Sequence, residues 1–198
     1  MTISETPCRL VLASTSPFRK EILTKLGLCF NTASPEIDES PLPNEMPEQL
    51  VVRLAEKKAC AVANSYPDNL IIGSDQVAVI DGEILGKPLT HERAVEQLSN
   101  ASGKTVRFYT GLCLYNSATD VSQIEAVPFD VVFRELTTSQ IENYLIAEKP
   151  YNCAGSFKSE ALGIALFEKL LGDDPNTLMG LPLIRLVAML ENENFSVI

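Results

Sequence analysis

Between Leu70 and Ile80 the chain reads LIIGSDQVAVI. So nearly unbroken a β-rich run is the signature of a buried strand, and the rest of a core has to be built around it. Gly73-Ser74-Asp75-Gln76 sets polar groups in its middle. Two explanations stand open: a bulge or turn that satisfies those groups locally, or an Asp and a Gln presented to a cleft. Asp81-Gly82 is a hairpin signal that returns the chain through Glu83-Ile84-Leu85 to Gly86-Lys87-Pro88. That fold-back carries Lys87 toward the tetrad. A lysine and an aspartate there make either a plain ion pair or a base and a phosphate clamp.

Leu10–Gly27, LVLASTSPFRKEILTKLG, is the second constraint. Leu10–Ala13 reads as a short buried strand. Ser14, Thr15 and Ser16 prefer helix N-caps, Pro17 suits a first helical turn, Ile22, Leu23 and Leu26 share one helical face, and Gly27 is a natural stop. Strand, hydroxyl-rich turn and helix together offer an anion free N–H groups and the positive end of a helix dipole, with Arg19 and Lys20 adding charge. An ordinary capped helix with two solvated basic residues has the same pattern.

Leu28–Asn31 reads as a further short strand. Pro35, Pro41, Pro43 and Pro47 forbid a helix or central strand around them, so the intervening residues form an extended loop, acidic at Glu36, Asp38 and Glu39. That acidity is either a solvated charge run or an oxygen ligand for a divalent cation. From Pro47 to Tyr66, Leu50, Val51, Leu54, Ala55, Ala59 and Val62 recur at helical spacing, with Arg53, Lys57 and Lys58 among them. Thr90–Ser99 predicts a helix, Thr105–Tyr115 and Val121–Arg134 an antiparallel hairpin, and Thr137 or Thr138 caps a helix through Ala147. Asn152–Glu160 reads as either a pocket-lining loop or a solvated one. Gly163–Leu171 predicts a strand, Gly172–Asn176 a turn, and Leu181–Glu191 a closing apolar helix.

At 198 residues the chain is long enough for one sizeable core. A net charge of −10 argues against a nucleic-acid polymer as partner, since a polyanion needs a positive field, but leaves room for a small phosphorylated ligand in a local basic pocket. No apolar run is long enough to span a bilayer and MTISETPCRL lacks the features of a signal peptide, so no membrane partner and a cytoplasmic address are expected. Cys8, Cys29, Cys60, Cys113 and Cys153 are scattered and odd in number; they read as unpaired small core residues. The one histidine, His91, reads as solvated at a helix start, which excludes His-clustered metal sites.

Leu12-Ala13-Ser14-Thr15-Ser16-Pro17-Phe18-Arg19-Lys20, Glu36-Ile37-Asp38-Glu39, Arg53-Leu54-Ala55-Glu56-Lys57-Lys58-Ala59, Gly73-Ser74-Asp75-Gln76 and Gly86-Lys87-Pro88 occur in the order and spacing of the Maf-type nucleotide pyrophosphatases. Each motif is weak alone, and five in order are specific. The chain thus resembles that family over essentially its whole length, and Gly155-Ser156-Phe157-Lys158-Ser159-Glu160 resembles the branch acting on 7-methyl-GTP rather than the one acting on dTTP and UTP. Phe18 stands where that branch carries tryptophan, and Ala161 where glycine is usual.

The resemblance implies one domain over 1–198. Its fold would be mixed α/β, a largely antiparallel extended sheet with flanking helices, in two lobes around a central cleft, as in Maf and inosine triphosphatase folds. It implies a hydrolase that cuts a nucleoside triphosphate between the α and β phosphates with a divalent cation, Mg²⁺ or Mn²⁺. On this reading Asp75 is catalytic, Ser14, Arg19, Lys58 and Lys87 hold phosphates, Glu39 holds the metal, and Phe18, Gln76 and Glu160 select the base. A dTTP/UTP pyrophosphatase and a non-catalytic nucleotide-binding regulator of cell division are the alternatives. A homodimer is left open.

Overall fold

The computed structural model describes residues 8–198; the reading of the first residues as free of a targeting segment lies outside that range. Seven strands form one mixed sheet: β1 (Leu10–Ala13), β2 (Phe30–Ala33), β3 (Leu70–Ile80), β4 (Glu83–Leu85), β5 (Thr105–Asn116), β6 (Val121–Phe133) and β7 (Phe167–Leu171). Their order is β2-β1-β3-β5-β6-β7, with β4 folded back on β3. β1 runs parallel to both its neighbours, and every other pairing is antiparallel. The fold is therefore mixed α/β with flanking helices, as the sequence predicts.

Alternation along β1 fixes the layers. Leu10 and Leu12 face α1 (Pro17–Thr24) and α6 (Leu183–Asn192), where Ile22, Leu23, Leu186 and Leu190 close one core. Val11 and Ala13 face α2 (Pro47–Ala61) through Ala55 and Ala59. A further core forms at the other end of the sheet. There α3 (His91–Ala101) and α4 (Thr138–Glu148) pack on Ala78, Ile80, Val106, Phe129 and Val131, and Phe108, Phe133, Phe157 and Phe167 meet edge to face.

Several expectations change. The second strand starts at Phe30, not Leu28, its four residues matched one for one to β1. Residues Leu162–Leu166 form a 3₁₀ turn, so only Phe167–Leu171 of the expected last strand is extended. Cys8 and Cys29, expected to be unpaired, are joined as a disulfide with Cα atoms 5.4 Å apart, because the parallel pairing of β1 with β2 brings together positions 21 residues apart that an odd, scattered set of cysteines did not mark as a pair. Cys113 is buried as expected, whereas Cys60 is exposed and Cys153 half-buried. His91 is half-buried and partnered rather than freely solvated: its Nδ1 meets the Tyr151 hydroxyl at 3.0 Å and its Nε2 meets Glu142 Oε2 at 2.8 Å, because α3 and α4 pack together. Among the described residues no helix is long and apolar enough to cross a membrane.

Candidate active site

The polar tetrad lies where the sheet is incomplete. β1 accompanies β3 only as far as Leu12 opposite Ile72, and β4 joins that edge only from Leu85 opposite Ala78. Between them, residues 73–77 keep β5 on one side and have no strand on the other. There is no bulge: β3 runs straight through, and the polar residues occupy a notch in the sheet edge. The notch opens into a cleft of about 740 Å³, within the range of roughly 300–1,000 Å³ that small-molecule sites occupy.

The two-residue period of a strand sends the tetrad's side chains opposite ways. Asp75 shares the α2 side with Ile71 and Gly73, and its Oδ1 accepts a hydrogen bond from Lys58 Nζ at 2.7 Å. The same ammonium lies 2.9 Å from Glu39 Oε1. One buried lysine thus joins a carboxylate from β3 to a carboxylate from the proline-rich loop. Two glycines make this approach possible. A Cβ on Gly73 would stand 2.0 Å from the Ala55 carbonyl oxygen, and one on Gly111, the register partner of Asp75, 2.1 Å from that of Val51. Glycine at both positions lets α2 lie against the strands closely enough for Lys58 to meet Asp75.

Ser74 and Gln76 point to the other side, toward the loop after α5 (Pro175–Leu178). Ser74 Oγ donates to the Gly180 carbonyl at 2.8 Å, and Gln76 Nε2 donates to the Thr177 carbonyl and to Thr110 Oγ1, each at 2.8 Å. Arg19 Nε adds a third strap, again to Gly180, at 2.8 Å. The Gln76 amide, expected to contact a ligand, therefore spends its donors on the protein; among the described residues its Oε1 has no partner.

On the turn after β1, Ser14 Oγ accepts from the Ser16 amide at 3.1 Å and Ser16 caps α1 by accepting from the Arg19 amide at 3.4 Å. Burial lowers the Arg19 guanidinium from its ordinary value, while attraction to Asp75 and Glu39 opposes the shift; an arginine keeps its charge regardless.

Ser14, Phe18, Arg19, Glu39, Lys58, Asp75, Gln76, Lys87 and Glu160 all line this one cleft. Phe18 stands at its rim, 40% exposed. Lys87 is exposed and carries no ion pair among the described residues, and Glu160 is exposed with only Ser159 Oγ near it, at 3.4 Å. Lys158, grouped with them by sequence, turns away to the Glu148 carbonyl. Sequence reasoning missed Ile84 and the Leu178–Gly180 segment, which also line the cleft. A signal existed for the second: Asp174 before Pro175 is an N-cap pattern, and its carboxylate accepts from the amides of Asn176 and Ile184, tying the loop to α6.

No group of three or more His, Cys, Asp or Glu among the described residues is arranged as a metal cage. Glu39 and Asp75 nevertheless reach a common point at Lys58. A hard cation such as Mg²⁺ takes one or two carboxylates and completes its shell with water and substrate phosphates, so this pair fits a site that the substrate itself would finish.

The family described as Maf-like protein matches residues 9–193. A curated relative from Nitrosococcus oceani, named 7-methyl-GTP pyrophosphatase, is 58% identical over 195 residues, covering 98% of this chain and 98% of its own. Among solved structures, a HAM1 protein from Coxiella burnetii matches at a TM-score of 0.44 and 15% identity, over 63% of this chain and 72% of its own. The Staphylococcus aureus Ham1 protein matches at 0.47 and 13% identity, over 93% and 98%.

Proposed function

The chain belongs to the Maf family, and from that membership we propose that it is a nucleoside triphosphate pyrophosphatase, hydrolysing 7-methyl-GTP to 7-methyl-GMP and pyrophosphate. The observation that carries the reading is Asp75, a buried carboxylate inside a cleft that also holds Arg19, Lys58 and Lys87. A pure binder of phosphates gains nothing from a carboxylate beside them; a hydrolase needs one to handle water.

In this mechanism Arg19, Lys87, Ser14 and the Phe18 amide in the first turn of α1 hold the triphosphate and stabilise charge as it moves to the leaving group. Asp75 orients a water against the α-phosphorus and takes its proton as the P–O bond to the β-phosphate breaks. Lys58 keeps Asp75 and Glu39 in place. Those two carboxylates would hold the divalent cation, which supplies charge neutralisation and Lewis acidity. Methylation at N7 makes guanine cationic, so an aromatic face at Phe18 and a carboxylate at Glu160 favour it over a neutral base.

The test is pyrophosphate release from 7-methyl-GTP, GTP, dTTP and UTP with Mg²⁺ or Mn²⁺. A kcat/KM highest for 7-methyl-GTP is expected. Preference for dTTP or UTP overturns the substrate, and no hydrolysis of any of the four overturns the reaction.

A further inference from the structure

Glu39 sits on a loop that neither strand nor helix geometry orients. The loop has no regular structure between β2 and α2, and the Glu39 side chain is 56% exposed, touching the buried site only through Lys58. Prolines stiffen such a segment without aiming it.

The aim comes from Arg53. Its Nε donates to Glu45 Oε1 at 2.5 Å, and one terminal nitrogen donates both to Glu45 Oε2 at 2.7 Å and to the Ser40 carbonyl at 3.1 Å. Glu45 in turn accepts from the Leu42 amide at 2.9 Å, and Asp38 Oδ1 accepts from the Ser40 amide at 2.9 Å. Glu39 thus lies inside a turn fastened on both flanks. Arg53 and Glu45 are half-buried, with side chains 19% and 7% exposed, yet neither lines the cleft. Arg53 and Lys58 stand five residues apart on α2, about 7.5 Å along its axis. One helix therefore holds the loop with one residue and receives its carboxylate with the other.

We propose that Arg53 is a positioning residue that sets Glu39 at the divalent-cation site through the Glu45 and Ser40 contacts. This rests on the reading of the cleft as a pyrophosphatase site. The planar guanidinium is essential to it, because a lysine can neutralise Glu45 but cannot bond both its oxygens and the Ser40 carbonyl in one fixed plane.

The experiment pairs hydrogen exchange of the nucleotide-free protein with steady-state kinetics, using Arg53→Lys, Glu45→Gln, Glu39→Gln and the double variant Glu39→Gln/Arg53→Lys. Arg53→Lys and Glu45→Gln are expected to raise exchange at the Ser40 and Leu42 amides about tenfold, leaving the α2 amides protected. Glu39→Gln leaves the Leu42 amide as it is. In turnover, Arg53→Lys should raise the Mn²⁺ concentration for half-maximal rate about tenfold, with the KM for 7-methyl-GTP at saturating Mn²⁺ unchanged. The double variant should be no worse than Glu39→Gln alone. Unchanged loop exchange in Arg53→Lys overturns the proposal, and so does a Mn²⁺ requirement equal to that of the parent or a multiplicative loss in the double variant. A parent protein that hydrolyses no triphosphate overturns the functional reading and the proposal's cation role with it. The exchange result, obtained without nucleotide, still separates that failure from failure of the loop anchor.

Discussion

Thr177 is buried with its Oγ1 bonded to nothing among the described residues, while its own carbonyl accepts from Gln76 and Thr110. An unsatisfied buried hydroxyl is a standing cost. Thr177→Val, nearly isosteric, should therefore leave stability unchanged or raise it by about 1 kcal/mol, read from urea unfolding. A loss of more than that would mean the hydroxyl has a partner in solution. Asp75 behaves oppositely under a conservative change. Asp75→Asn keeps an oxygen for Lys58 to bond but cannot take a proton, so kcat should fall by about 10² to 10⁴ with 7-methyl-GTP affinity little altered in calorimetry. Retention of parental kcat would remove Asp75 from the chemistry. Glu160, exposed and unencumbered, tests the base: Glu160→Gln should lower kcat/KM for 7-methyl-GTP far more than for GTP, flattening the preference.

α2 depends on its fit against β3 and β5. Gly111→Ala drives a Cβ into the Val51 carbonyl, and overpacking of this kind costs about 1–3 kcal/mol. The helix must shift, so the variant should lose kcat as Lys58 draws away from Asp75, beyond what its lowered unfolding midpoint explains. Such close approaches are where sequence reading runs out. The strands and helices were legible because burial leaves a pattern: the unbroken apolar run Leu10–Ala13 marks a strand covered on both faces, and the helical spacing in Leu50–Val62 marks the face of α2 that packs on it. Cleft residues were legible as motif members. Their partners were not, because Gln76 to Thr177 and Arg19 to Gly180 join positions 101 and 161 residues apart, a separation no local pattern encodes. Nor did the sequence forecast the missing stretch of strand beside residues 73–77, which is a fact of register.

Across the whole molecule, acid sensitivity follows from carboxylates that folding makes stronger acids. Hydrogen bonding to Arg53 pulls Glu45 down from its ordinary value to about 2, hydrogen bonds from Ser40 lower Asp38, and hydrogen bonds from its own backbone amide and then from Thr90 lower Glu92. A depressed carboxylate favours the folded state above its unfolded pKa, and that contribution disappears as pH falls toward the folded value. For Glu45 the window runs from about 4.5 down to about 2. Urea midpoints measured across it should fall with pH, and Glu45→Gln should make that fall shallower; equal slopes would show that the Arg53 contact does not survive in solution.

The notch in the sheet edge carries a mechanical consequence. β3 and β5 contribute to the cores on both sides of it, so the two halves share continuous strands rather than a linker. They cannot swing apart on a hinge as separate bodies do. The aperture is consequently a property of the sheet itself, bordered by the acidic loop and the β3–β4 hairpin, and its width is set by where β1 stops and β4 begins along β3.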